Sequence, residues 1–447
     1  MSTEALQSDS TAQAAIELRV VESLADVAQA DWDALVGPAH PFVSHGFLSA
    51  LEATDCLEPQ GWYSQHILAT QGDQLVGAMP LYLRDNSYGE FVFDWSWAEA
   101  FERAGGQYYP KLVNAVPFSP VAGPRVLTRT PEVGSAIVEY AQQLTEKNDL
   151  SSLHLLFLPP SEAETLAETH QTQTRTGVQY QWFNPGYADF DDFLARLTSR
   201  KRKEIRRERK KAQEADLELV TLAGTGIAPS HWDAYYEFYC ATFYRKWGSP
   251  RLTRAFFDEL VARLGDRVLL ELALDAGRPV AGAFLVRGED TLFGRHWGAI
   301  EDYKFLHFEL CYYRPLDFCI ANKIARFDAG AQGEHKLGRG FVPVMTASSH
   351  YLPHPSFSRA VADFLRRERA AVADYFRDCA SRTAFNEESR DAALAAAQAF
   401  AESGLQSHSG AGVENKAESE SETATGAESG GSLSDVGDRM PITRARP

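Results

Sequence analysis

The chain has 447 residues, 44% hydrophobic and 11% aromatic, and carries a formal net charge of −17. That length exceeds one ordinary core and predicts two or three domains, and the acidic balance excludes a protein that coats nucleic acid over its whole surface. Five scattered cysteines (Cys56, Cys240, Cys311, Cys319, Cys379) form no CxxC pair, and no apolar run reaches membrane-span length. With a polar, acidic N-terminus that lacks a signal-peptide pattern, the expectation is a cytoplasmic protein without a membrane span.

Residues 1–15 read as a flexible leader. From 16 to 185 the pattern predicts two helices, a meander of short strands, then a helix and another strand. The stretch from 186 to 354 repeats that order. "DWDALV" at 31 answers to "HWDAYY" at 231, and "FLSALE" at 47 to "FFDEL" at 256. Gly77, Ala78 and Gly89 match Gly282, Ala283 and Gly294 at a constant offset, and "YYPKL" at 108 matches "YYRPL" at 312. Matched blocks in the same order point to an internal duplication.

The second half opens with "RLTSRKRKEIRRERKK", in which ten of sixteen residues are Lys or Arg. Between 198 and 211 only Ile205 is strongly apolar, so this is no core helix, yet its composition favours helix. Glu204 and Glu208 supply local partners at i,i+3 or i,i+4 for at most three of the ten charges. Two readings stay open: a site for an anion, or a solvated face docking on the protein's own acidic surface. Arg202, Lys203, Arg206 and Arg207 are the phosphate-binding candidates. Beyond 354, Val361, Phe364, Leu365, Val372 and Phe376 fall on one face of an amphipathic helix, so 355–400 reads as C-terminal helices. The Ser-, Gly- and Glu-rich stretch 401–447 reads as a disordered tail.

The blocks "HPFVSHGFLSALE", "YYPKLVNAVPFSPVAGPR", "SRKRKEIRRERKKA" and "LHFELCYYRPLDFCI…FDAGAQGEHKLGRGF" resemble the FemAB-like N-acyltransferases of the GNAT superfamily, over about residues 30 to 380. The resemblance implies an α+β fold of tandem GNAT-like domains with C-terminal helices and a disordered tail. It implies transfer of an acyl or aminoacyl group from acyl-CoA or aminoacyl-tRNA to a small-molecule or peptide-like amine, with tRNA as a partner and no metal. The "[RQ]xxGx[GA]" pyrophosphate turn of coenzyme A enzymes has no clean counterpart: "RHWGAI" ends in Ile300 and "HKLGRG" opens with His335.

Acyl transfer to an amine requires a group to take the amine's proton and donors for the tetrahedral oxyanion. The polar residues of the second half supply candidates. Glu309, Glu334, His335 and His307 are the catalytic ones. Arg295, Tyr312, Lys336 and Arg339, with Asp94 from the first half, are the substrate-binding ones. A carboxylate inside an apolar helix, as at Glu309, is costly without a partner or a purpose. On a regular helix Glu309 and Tyr312 share a face. There is no HExxH, GxSxG or P-loop pattern. Two further readings are a nucleic-acid-binding protein on a degenerate transferase fold, and a non-catalytic interaction scaffold.

Overall fold

The computed structural model describes residues 15–403, apart from 39, 246, 247 and 332. Residues 1–14 of the expected leader and all but the first residues of the expected tail lie outside this range. The first half runs β1 (Ile16–Val21), α1 (Gln29–Val36), α2 (His45–Ala53), β2 (Trp62–Ser64), β3 (His66–Gln71), β4 (Gln74–Met79) and β5 (Tyr82–Arg84). It continues with α3 (Trp95–Arg103), β6 (Lys111–Asn114), β7 (Leu127–Thr128), α4 (Pro131–Lys147), β8 (Leu153–Leu158), α5 (Pro160–Thr169) and β9 (Gln173–Phe183).

The second half opens with α6 (Phe190–Ala195) and the basic helix α7 (Ser199–Gln213). Then come β10 (Glu218–Ala223), α8 (Pro229–Tyr244), α9 (Arg254–Leu264), β11 (Val268–Asp275), β12 (Arg278–Arg287) and β13 (Thr291–Ala299). A helical segment follows as α10 (Leu306–Phe308), a π-helical turn over Glu309–Tyr313, and α11 (Arg314–Ala321). Strands β14 (Arg326–Asp328) and β15 (Val342–Tyr351) precede α12 (Pro355–Ser381) and α13 (Glu387–Ser403).

The repeat read in the sequence has a counterpart in only part of the element order: "YYPKL" enters strand β6 whereas "YYRPL" lies in the helical segment 309–321, and Gly89 sits at a positive φ in a turn whereas Gly294 lies on β13. Strand β1, two helices and the β3–β4 hairpin recur as β10, α8, α9 and β11–β12. Trp32 and Trp232 hold equivalent buried places on α1 and α8. The second helices of the two halves pack on each other, with Phe47 and Phe256 edge to face at 5.9 Å. Gly46 permits this approach, because a Cβ there would come within 3.2 Å of Leu264 and 3.3 Å of Arg263.

Most strands join one eleven-stranded sheet in the order β10-β11-β12-β13-β14-β9-β15-β8-β6-β5-β2, and β1-β3-β4-β7 form a smaller one. Strand β9 closes the first repeat in sequence, yet it lies between β14 and β15 of the second. Strand β15 in turn lies between β9 and β8. The halves are therefore interleaved, and the expected α+β architecture with C-terminal helices is present. No helix among the described residues is long and apolar enough to cross a membrane.

Candidate active site

The site begins with a defect in the sheet. Strand β13 pairs with β14 only over Thr291–Phe293, and beyond Gly294 its outer edge has no ladder partner among the described strands. On the other edge, Phe284 faces His296 while Leu285 faces Gly294, so Arg295 is an extra, bulged residue. The bulge turns Arg295 toward the first half, where its guanidinium donates to the Phe118 carbonyl at 3.0 Å and lies over Phe42. Burial lowers its pKa to about 10, with Asp328 opposing.

Opposite this gap runs the helical segment 306–321. Its π-helical turn carries more than the usual residues per turn, so Glu309 and Tyr312 do not share a face. Tyr312 meets the 3-10 turn Glu334–Arg339, and its hydroxyl hydrogen-bonds His335 Nε2 at 2.8 Å. The His307 ring lies 5.6 Å from Tyr312, 6.1 Å from His335 and 5.3 Å from Trp297. Burial, reinforced by His335, Arg339 and Lys336, pushes the His307 pKa down to about 4. Partial desolvation and the same two cations also lower His335. Both imidazoles are neutral at pH 7 and able to accept a proton.

Lys336 stands directly behind this trio. It is buried, its ammonium donates to the Gly330 carbonyl at 2.5 Å, and burial pulls its pKa down to about 8 against the attraction of Asp328. Asp328 is held by Gln181 and the Gly330 amide. The structure thus brings His307, His335, Tyr312 and Lys336 together, with Arg295 across the gap.

The remaining sequence-predicted residues stand elsewhere. Arg339 is buried, donates to both oxygens of Glu208 at 2.9 and 3.0 Å, and stacks over Phe308 at 3.4 Å. The Tyr313 hydroxyl donates to the same carboxylate. Glu309 turns toward α7, where its Oε1 takes a hydrogen bond from Arg209 at 2.9 Å, and Arg209 also binds Asp317 at 2.6 Å. Burial raises the Glu309 pKa while Arg209 opposes the rise, and its Oε2 is buried without a partner. These groups form an ion-pair seam under the basic helix, one step removed from the Tyr312–His335 pair.

The basic helix divides into two faces. Ile205, Glu208 and Ala212 are buried, and Arg209 reaches into the seam. Arg202 donates to the Leu197 carbonyl, and Arg206 pairs with Asp191 at 2.7 Å. Lys203 and Arg207 point to solvent. Glu204 bonds Lys201, whereas Glu208 turns inward to serve Arg339 and is no partner for its helix neighbours.

Glu334 projects to the other side of its turn, where Tyr375 and Arg382 donate to it and lower its pKa. It borders a cleft of about 460 Å³ between the halves, floored by β9 and β15 and walled by Phe91, Phe93 and Phe157. Gln179 lines this cleft. Its Nε2 donates to the Pro120 carbonyl, and its Oε1 is buried without a partner.

Asp94 lies apart, sealed in the first half. Lys111 donates to it at 2.5 Å and the Tyr108 hydroxyl at 2.6 Å, while Lys111 also binds Glu90 and Ser87. Beside them His154 and His350 share a hydrogen bond at 2.6 Å, and burial drives His154 down to about 3.

The two glycine motifs compared with a pyrophosphate turn have other duties. "RHWGAI" lies along β13, where a Cβ on Gly298 would come within 2.3 Å of the Phe238 carbonyl oxygen on α8. "HKLGRG" forms the turn carrying His335 and Lys336. Sequence reasoning read Glu208 as a local partner of its helix neighbours and placed Lys111 in the first-half counterpart of the site, and it did not single out Arg209, His154 or Gln179. Only Glu208 left a signal, since with Ile205 and Ala212 it falls at i, i+3 and i+7 on one helical face. Among the described residues no group of three or more His, Cys, Asp or Glu is placed to hold a metal ion.

Two interleaved halves meet at one large sheet, with polar side chains gathered beside β13 and β14. The FemAB-like family model, described as peptidoglycan biosynthesis/recognition, matches residues 23–387, and the chain belongs to that family, a transferase of the acyltransferase type. In structure it is similar to FemX, at 10% identity and a TM-score of 0.48, covering 75% of this chain and 98% of that one. It is also similar to a tandem GNAT protein from the clavulanic acid biosynthesis pathway, at 12% identity, a TM-score of 0.40, and 76% and 99% coverage. A third similar structure is a conserved protein from Bacteroides thetaiotaomicron, at 13% identity, a TM-score of 0.42, and 73% and 97% coverage. No curated protein matches the chain in sequence.

Proposed function

We propose that the chain is an N-acyltransferase that moves an acyl or aminoacyl group from acyl-CoA or aminoacyl-tRNA to the amine of a peptide-like acceptor held in the cleft between the halves. The observation that carries this reading is the Tyr312–His335 hydrogen bond beside the neutral ring of His307, at the end of the β13–β14 ladder. In this reading the amine attacks the donor carbonyl, a C–N bond forms and the C–O or C–S bond breaks. His335 or His307 takes the amine proton, and the Tyr312 hydroxyl returns one to the leaving group. Lys336 and Arg295 supply positive potential for the developing oxyanion. Gln179 and Glu334 face the acceptor, and the exposed cations of α7 take donor phosphates. Glu309 and Arg339 hold the catalytic turn in place through α7. All five cysteines are free, which suits a reducing, cytoplasmic setting.

The test is a transfer assay with each donor class against amine-bearing peptides, using the wild-type chain, Tyr312→Phe and His335→Gln. Loss of turnover in both variants with retained folding supports the reading. Undiminished turnover in both removes these residues from the chemistry, and no transfer with either donor overturns the activity itself.

A further inference from the structure

Left-handed backbone marks the walls of the cleft between the halves. Among the described residues ten that are not glycine have a positive φ, and six of these are polar residues or Ala between elements. The other four are all phenylalanines: Phe91 at 62°, Phe118 at 58°, Phe157 at 59° and Phe305 at 66°. A bulky side chain is disfavoured there and glycine would be at ease, so the surroundings must hold each ring in place. All four border the candidate site. Phe91 and Phe157 wall the cleft, the Phe118 carbonyl binds Arg295, and Phe305 directly precedes the helix of His307.

The two in the cleft are held by different means. In β8, Leu155 faces Ser349 while Leu158 faces Ala347, so the strand carries one extra residue and bulges at Leu156–Phe157. The Phe157 carbonyl accepts from the Gly123 amide at 3.0 Å. Phe91 lies between Glu90 and Asp94, both gripped by Lys111, at 2.8 and 2.5 Å. Arg175 donates to the Phe93 carbonyl at 2.7 Å. The sealed cluster of the first half thus fixes the loop that carries two of the rings.

The rest of the cleft agrees in chemistry. Its charged residues are already matched, Arg175 with Glu368 at 2.7 Å and Glu334 with Arg382 at 3.1 Å. Gly177, in the floor, has an ordinary strand backbone that does not require glycine. A Cβ there would meet one atom within 4 Å, Thr346 Oγ1 at 3.0 Å, so the floor is open because a side chain is missing. The cleft reaches Gly333 and Glu334, next to His335.

On the reading that the acceptor lies in this cleft, we infer that the cleft takes an uncharged, apolar side chain next to the acceptor amine. Phe91 and Phe157 are the residues that select it. An apolar group placed there leaves water for aromatic walls. A charged one would give up its hydration with no opposite charge free to meet it.

The test is titration calorimetry of the full-length chain with phenylalaninamide, leucinamide and serinamide, primary amines of the same charge. The first two should bind at least about tenfold more tightly than serinamide. Phe91→Gly, which also relieves the backbone, and Gly177→Leu, which fills the floor, should each cut that ratio to about threefold or less. Circular dichroism checks that each variant folds, and if one does not, the other decides. Equal binding of the three amines, a preference for serinamide, no binding of any, or a preference that survives substitution would each overturn the inference. The readout is binding and not turnover, so it fails separately from the proposed reaction. A negative transfer assay with the preference intact removes only the reaction, and turnover without the preference removes only the apolar pocket.

Discussion

The two halves each gather polar side chains in the interior, but on opposite terms. In the first half Asp94, Glu90, Lys111, Tyr108, His154 and His350 answer one another, and every residue in the group is almost fully buried. In the second half His335 is exposed, His307 is half-buried, and Tyr312 and Lys336 close the back. The first arrangement is locked by its own complementarity. The second keeps neutral proton acceptors at a surface where a substrate can arrive. One polar cluster is closed on itself, and the other, in the proposed reading, is the one open to chemistry.

The sharpest way to break this comparison is Lys111→Met. It leaves the buried Asp94 carboxylate without its cation, while Glu90 keeps Arg84 at 3.4 Å, and removing one partner of a buried ion pair costs about 3–5 kcal/mol. The midpoint of urea unfolding should fall accordingly, and a change below about 1 kcal/mol would show that water reaches the cluster. In the second half the expected effects reverse. Tyr312→Phe should lower kcat about a hundredfold, as loss of a general acid does, and alter stability by no more than about 1 kcal/mol. Equal losses of stability from both substitutions would erase the distinction.

The pH dependence of stability sharpens it further. His154 has its folded pKa depressed from 6.5 to about 3, so between those values the unfolded chain binds the proton and the folded chain does not. The contribution is fully present above pH 6.5 and is lost as pH falls, amounting to about 2 kcal/mol at pH 5. His154→Asn should therefore reduce the slope of the stability profile between pH 7 and pH 5, as read by unfolding midpoints, while His40, His296, His307 and His350, also lowered, keep part of it. The same profile should be nearly unchanged in His335→Gln, whose ring is exposed. The smallest effect is expected on the surface, where Arg206→Ala breaks a solvent-facing pair with Asp191 and should cost less than about 0.5 kcal/mol in a thermal melt.

What the sequence revealed divides along the same line. The repeat was legible because Trp32 and Trp232, or Gly77 and Gly282, serve local packing rules that recur wherever the unit recurs. The family was legible from extended blocks around α7 and 306–340. The exchange of β9 and β15 was not, since it depends on pairing between segments about 170 residues apart and leaves no local pattern. The alternation of Glu309 and Tyr312 misled for a specific reason: one π-helical turn rotates them apart. Glu208 was hidden by its company, an acid among ten bases that looks like a surface partner and is in fact the anchor of Arg339.

The place of β15 between β8 and β9 sets an order of events during synthesis. Both of those earlier strands leave the ribosome long before residues 342–351 exist to pair with them. Until then each presents an unpaired edge, the kind of backbone that recruits a neighbouring chain. A chain cut between the repeats would therefore separate β8 and β9 from the strand that covers their edges.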